Sequence, residues 1–116
     1  MAIISNENVP AVVSTSNWNG SAMVQQQSFG TSGFTNHGHG QFTISFSTNF
    51  GNTSYGFYFG TSGENTNGNR GANGGNIRTG NKAVGSCRID VYFGSMGGTG
   101  GHSGNATNTC AFVGTR

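Results

Sequence analysis

The longest run in this sequence without a glycine, asparagine, serine or threonine is Cys87–Phe93. All four residue types disfavour helix interiors: glycine costs backbone entropy, and the others draw the backbone into local hydrogen bonds. An ordinary helix needs about 11 residues and a strand about 5 or 6, so only strands fit between such interruptions. The 9 Phe, 3 Tyr and single Trp gather in short blocks separated by Gly/Asn/Ser/Thr turns. That is the pattern of many short strands. The predicted class is all-β, a small antiparallel β-sandwich with long Gly/Asn-rich loops. A chain of 116 residues buries only a modest core, so assembly that hides more apolar surface is expected. A homotrimer is the predicted form, and the 22 glycines suit tight turns and close packing around a three-fold axis.

The chain divides into two parts. Residues 1–17 carry Ile3, Ile4, Val9, Val12 and Val13 around Pro10. This segment is too short for a domain and too apolar for an idle tail, so it is predicted to be an N-terminal docking arm that packs on a neighbour. Residues 18–116 hold the β-domain. Ala22 to Phe29 reads as its first strand and Thr31 to Gly40 as a loop. From Gln41 to Ser47 the apolar side chains alternate strictly, placing Phe42, Ile44 and Phe46 on one buried face. Tyr55, Phe57 and Phe59 share a face in the next strand, and residues 60–82 read as a long loop. In Ser86 to Phe93, Cys87, Ile89 and Val91 point one way and Arg88, Asp90 and Tyr92 the other. Gly94 to Thr107 is a second Gly-rich loop, and Thr109 to Val113 closes the domain. Long loops on a small sheet scaffold are a common mount for binding sites.

Several function classes are disfavoured. The net charge of +2 comes from thinly spread basic residues, Arg70, Arg78, Lys82, Arg88 and Arg116, whereas a nucleic-acid surface needs a cluster. The start Met-Ala-Ile-Ile-Ser-Asn-Glu lacks the basic flank and long apolar run of a signal peptide. No segment approaches the roughly 20 apolar residues that span a bilayer. Synthesis in a cytoplasm without membrane insertion is expected. The only carboxylates, Glu7, Glu64 and Asp90, lie far apart in sequence, and no nucleophile elbow, P-loop or zinc-ligand spacing appears. The chain is read as non-enzymatic. Asp90 and Arg88, on one strand face, read as a surface ion pair of little worth.

A family resemblance rests on ordered motifs. Asn19-Gly20-Ser21-Ala22-Met23-Val24, Ser28-Phe29, Gly33 to Asn36 and Gly38-His39-Gly40-Gln41-Phe42-Thr43-Ile44-Ser45-Phe46 follow one another. Asn52-Thr53-Ser54-Tyr55, Ser86-Cys87-Arg88-Ile89 and Cys110-Ala111-Phe112-Val113-Gly114 complete the series. In order and spacing this resembles the C-terminal receptor-binding tip domain of tail fibres in T7-like and marine phages, over about residues 18–114. Each motif alone is a weak signal; the order carries the likeness. The resemblance implies a trimeric β-structured virion protein that touches the host surface, receptor glycan or protein. The short arm also suits a second role, a trimeric capsid decoration protein whose residues 1–17 clamp other virion proteins.

Candidate site residues follow from side-chain chemistry. Asn67, Asn69, Arg70, Asn76 and Arg78 can offer amides and guanidinium groups to glycan hydroxyls and carboxylates. Tyr58 and Tyr92 can stack on sugars, while Trp18 and Phe34 read as packing residues. His37-Gly38-His39 is either a transition-metal site, with imidazoles gathered near a trimer axis, or a pair of loop histidines. No other cofactor is expected. Cys87 and Cys110, on facing core positions of the last two strands, either pair as a disulfide or act as small buried hydrophobes.

Overall fold

The computed structural model describes residues 11–62, 74–92 and 107–115. They form β1 (Ala11–Trp18), β2 (Met23–Phe29), β3 (Thr31–Gly38), β4 (Gln41–Phe46), β5 (Gly56–Ser62), β6 (Gly74–Lys82), β7 (Ser86–Tyr92) and β8 (Thr107–Val113). The strands divide into two four-stranded sheets, ordered β2-β1-β8-β5 (the β1 sheet) and β3-β4-β7-β6 (the β4 sheet). Every strand pairing is antiparallel. The all-β class with two antiparallel sheets therefore matches the expectation. Among the described residues no helix is long and apolar enough to cross a membrane.

The sheets face each other across one core, and strand alternation decides which side chains enter it. Phe42, Ile44, Phe46, Cys87, Ile89 and Val91 come from the β4 sheet, and Val12, Cys110 and Phe112 from the β1 sheet. Where β1 begins and β8 ends, Phe46, Phe50, Tyr55 and Phe112 form an aromatic cluster with centroids 4.6 to 5.9 Å apart. Burying each such ring stabilises the fold by about 1.5–3 kcal/mol. Toward the other end the inner face of the β1 sheet turns polar, with Ser14, Ser16 and Asn108 buried. Hydrogen bonds offset that burial for Ser14 and Asn108. Asn108 Nδ2 donates to the Ser16 carbonyl at 3.2 Å, and Gln25 Nε2 donates to Ser14 Oγ at 2.8 Å.

Residues 11–17, expected to belong to a docking arm, are instead β1, an interior strand paired with both β2 and β8. Its inward positions Val12, Ser14 and Ser16 are 4%, 1% and 1% exposed, so this stretch belongs to the domain. The remainder of the proposed arm, residues 1–10, lies outside the described residues. The segment Thr31–Gly40, expected as a loop, contains edge strand β3. The expected loop 60–82 likewise contains the end of β5 and edge strand β6. Gly30 alone joins β2 in one sheet to β3 in the other, with φ of 76°. A Cβ there would lie 3.0 Å from the Ala11 carbonyl oxygen, so both the backbone angle and the space call for glycine.

Candidate functional site

Strand register places the residues that bound the two long inter-strand stretches at one end of the sandwich. Ser62 lies opposite Thr107 in the β1 sheet, and Gly74 lies opposite Tyr92 in the β4 sheet. These four residues bound segments 63–73 and 93–106, so both segments leave and rejoin the strands at the same end. The turn after β1 lies there too, because Ser16 is opposite Asn108. So does the turn after β3, because Gln41 is opposite Asp90.

Two side-chain contacts tie the sheets together at this end. Trp18 stacks on His39 with centroids 4.4 Å apart and planes at 22°. Asn36 Oδ1 on β3 accepts from the Met23 amide on β2 at 2.9 Å. The β1–β2 turn is held by Asn19, whose Oδ1 accepts from the Ser21 and Ala22 amides at 2.8 and 2.9 Å. An asparagine bonding its own following backbone is a familiar way to set a tight turn.

The predicted recognition residues fall into two groups. Asn67, Asn69 and Arg70 lie outside the described residues. Tyr92 and Asn76 sit by register near the end that bounds segments 63–73 and 93–106, opposite Gly74 and Asp90 respectively. Arg78 is on the same strand, β6. Tyr58 does not join them. It lies opposite Ala111 in mid-strand, on the outer face of the β1 sheet, about 13 Å along the strand from Ser62 at the usual rise per residue.

The two histidines engage separate partners. His37 Nε2 is 2.7 Å from Thr43 Oγ1 in an exposed contact, while His39 lies on Trp18. Among the described residues, no group of three or more His, Cys, Asp or Glu side chains is placed to hold a metal ion. Trp18 and Phe34 pack against the core, the latter stacked on Phe42 at 5.1 Å. The Arg88–Asp90 pair is less exposed than expected: Arg88 Nε is 3.7 Å from Asp90 Oδ1, and the Asp90 side chain is only 9% exposed. Arg88 Nη2 also donates to Gln41 Oε1 at 2.8 Å.

Both cysteines are free thiols and fully buried. They stand in different sheets, so the last two strands are not ladder neighbours. Burial pushes the Cys87 thiol up to about 11, partly offset by the neighbouring Tyr55 hydroxyl and by the charge of Lys82. Burial also raises Cys110, with Cys87 adding to the effect. The Tyr55 hydroxyl, raised by burial and by Cys87, donates to the Ala83 carbonyl at 2.7 Å. Lys82 Nζ donates to the Tyr55 carbonyl at 3.0 Å and stands 4.6 Å over its ring.

The outer face of the β1 sheet is not legible in the sequence. Phe29 is opposite Val13, Val13 opposite Ala111, and Ala111 opposite Tyr58. Phe29 and Tyr58 are 68% and 64% exposed. None of the four strands of this sheet contains Asp, Glu, Lys, Arg or His. Charged residues on strands belong to the β4 sheet, at Arg78, Lys82, Arg88 and Asp90. Sequence parity hides it: Met23 and Phe29 are six residues apart and would share a face, and only the bulge at Thr15/Ser16 lets Met23 point inward and Phe29 outward. No family model, no curated protein and no solved structure matches this chain.

Proposed function

We propose that this chain is a non-enzymatic phage virion protein, a trimeric tail-fibre or tail-tip subunit that binds a host surface glycan or protein. The observation that carries this reading is the convergence of the strand ends bounding segments 63–73 and 93–106 on one end of the sandwich. Loops mounted together on a rigid sheet scaffold form a single surface, the usual arrangement of loop-borne binding sites. The order of sequence motifs resembling phage tail-fibre tips supports the same reading. In this reading Asn67, Asn69, Arg70, Asn76, Arg78 and Tyr92 supply the contacts, and Tyr58 does not.

The test combines location with binding. Gold-labelled antibody against the chain should decorate the tail end of the particle in electron micrographs. The folded Arg70→Ala/Arg78→Ala variant should bind host cells more weakly at unchanged melting temperature. Label spread over the capsid, with cell binding unaltered, would favour a decoration role instead.

A further inference from the structure

Two exposed aromatic side chains stand at opposite edges of the β1 sheet, on the same outer face and in the same cross-strand row. The row runs Phe29, Val13, Ala111, Tyr58. Its ends are large and mostly exposed, and its middle is small and half-buried. The next row repeats the pattern of modest, uncharged side chains, with Thr15 opposite both Gln27 and Thr109. The face is uncharged because the whole sheet is. Exposed aromatics with charge excluded are the composition of an interface core rather than of ordinary surface.

We infer that this face is where copies of the chain meet, Phe29 of one copy packing on Tyr58 of the next around a three-fold axis. The inference rests on the trimeric reading and adds the surface that makes the trimer. Rotation about an axis keeps every atom at its own height along that axis. With strands running along the axis, residues of one cross-strand row share a height. Phe29 on edge strand β2 is therefore carried to the level of Tyr58 on edge strand β5 of the neighbour. One edge meets the other, which is a heterologous contact, and with a 120° rotation between copies such a contact closes into a ring of three. In mid-row, Val13 and Ala111 are small enough for three sheets to approach the axis together. Neither edge strand carries the charged residues or proline that usually keep sheet edges apart.

A second copy is favoured over a sugar as the occupant because the two rings stand far apart. Three strand spacings separate them by about 14 Å, with no polar side chain in the row between them.

Cysteine cross-linking of the purified full chain tests this, alongside native mass spectrometry. The wild type should appear as a trimer. Under mild oxidation, the Phe29→Cys/Tyr58→Cys double variant should give covalent trimers on non-reducing gels, and each single variant should not. A bond between the two positions within one chain is out of reach, since a disulfide needs Cα atoms within about 7 Å. Both sites are mostly exposed, so the variants should fold, which circular dichroism checks. Val13→Glu should shift the assembly to monomers with the fold retained. A monomeric wild type would overturn the trimeric reading itself. A wild-type trimer whose double variant stays uncrosslinked would overturn only the placement of the interface. Single variants that cross-link into dimers would overturn the head-to-tail geometry.

Discussion

Trp18, the last residue of β1, stacks on His39 in the turn after β3, with ring centroids 4.4 Å apart. The contact spans the two sheets at the end where segments 63–73 and 93–106 begin and finish. The polar inner positions Ser16 and Asn108 lie near this end, so it has fewer apolar groups than the aromatic cluster opposite. An aromatic pair contributes about 0.5–1.5 kcal/mol beyond the area it buries. Trp18→Ala and His39→Ala should each lower stability, and the double variant should lose less than their sum by about that amount. Urea unfolding of the four proteins measures the coupling; strict additivity would remove the stack as a tie between sheets.

The thiols give a pH-dependent prediction. Cys87 is raised to about 11 in the fold, above the value of about 8.5 for an unfolded chain. The fold therefore favours the protonated thiol, and its contribution is complete below the unfolded value. It is lost as pH rises through the folded one. Cys110 and Tyr55 are raised as well and act in the same direction. Melting temperature should fall between about pH 9 and 11, and a flat profile there would contradict the buried-thiol picture. Near neutral pH a chromogenic thiol reagent should find neither cysteine in the native protein and both after denaturation. A denatured chain with no reactive thiol would mean that Cys87 and Cys110 are oxidised to a disulfide.

Truncation separates β1 from whatever precedes it. Deleting residues 1–17 removes nearly all of an interior strand that pairs on both sides. That variant should lose the cooperative melt and the β-sheet circular dichroism of the intact chain. A folded, cooperatively melting 18–116 fragment would return residues 11–17 to the role of a detachable arm.

Gly114 and Gly60 should respond oppositely to one methyl group. A Cβ at Gly114 would sit 2.7 Å from Tyr55 Cβ and 3.1 Å from Phe50 Cδ1, while at Gly60 it meets nothing within 4 Å. Gly114→Ala overpacks the aromatic end and should cost about 1–3 kcal/mol. Gly60→Ala should be neutral or slightly stabilising, because alanine limits the unfolded chain more than glycine does. Thermal melts of the two variants read the difference.

The strands legible in the sequence were those whose inner face is apolar at every second residue. Phe42, Ile44 and Phe46 alternate, as do Cys87, Ile89 and Val91, and all six are buried. β1 lacks that mark because two of its inward residues are Ser14 and Ser16, which look like linker. β3 lacks it because Ser32, Thr35, Asn36 and His37 are exposed, leaving Phe34 as its main apolar mark. β6 is glycine-rich and likewise at a sheet edge. An edge strand is held largely by backbone hydrogen bonds to one neighbour, and those leave no pattern in side-chain type.

The same division holds for the site. Local spacing determined that the chain folds into short strands and which residues of the apolar strands turn inward. Those are properties of neighbouring residues, and period-two alternation reports them directly. Tertiary structure decided which strands are neighbours. It put β1 beside β8, brought Ser62 to Thr107 and Gly74 to Tyr92, and so moved Tyr58 away from the end where those four residues meet. It also aligned Phe29 with Tyr58 across three ladders of the β1 sheet. Pairing between distant segments depends on the register of backbone hydrogen bonds and on one bulge in β1 and β2. A shift of one residue there would send every side chain to the other face, and no local pattern records which register wins.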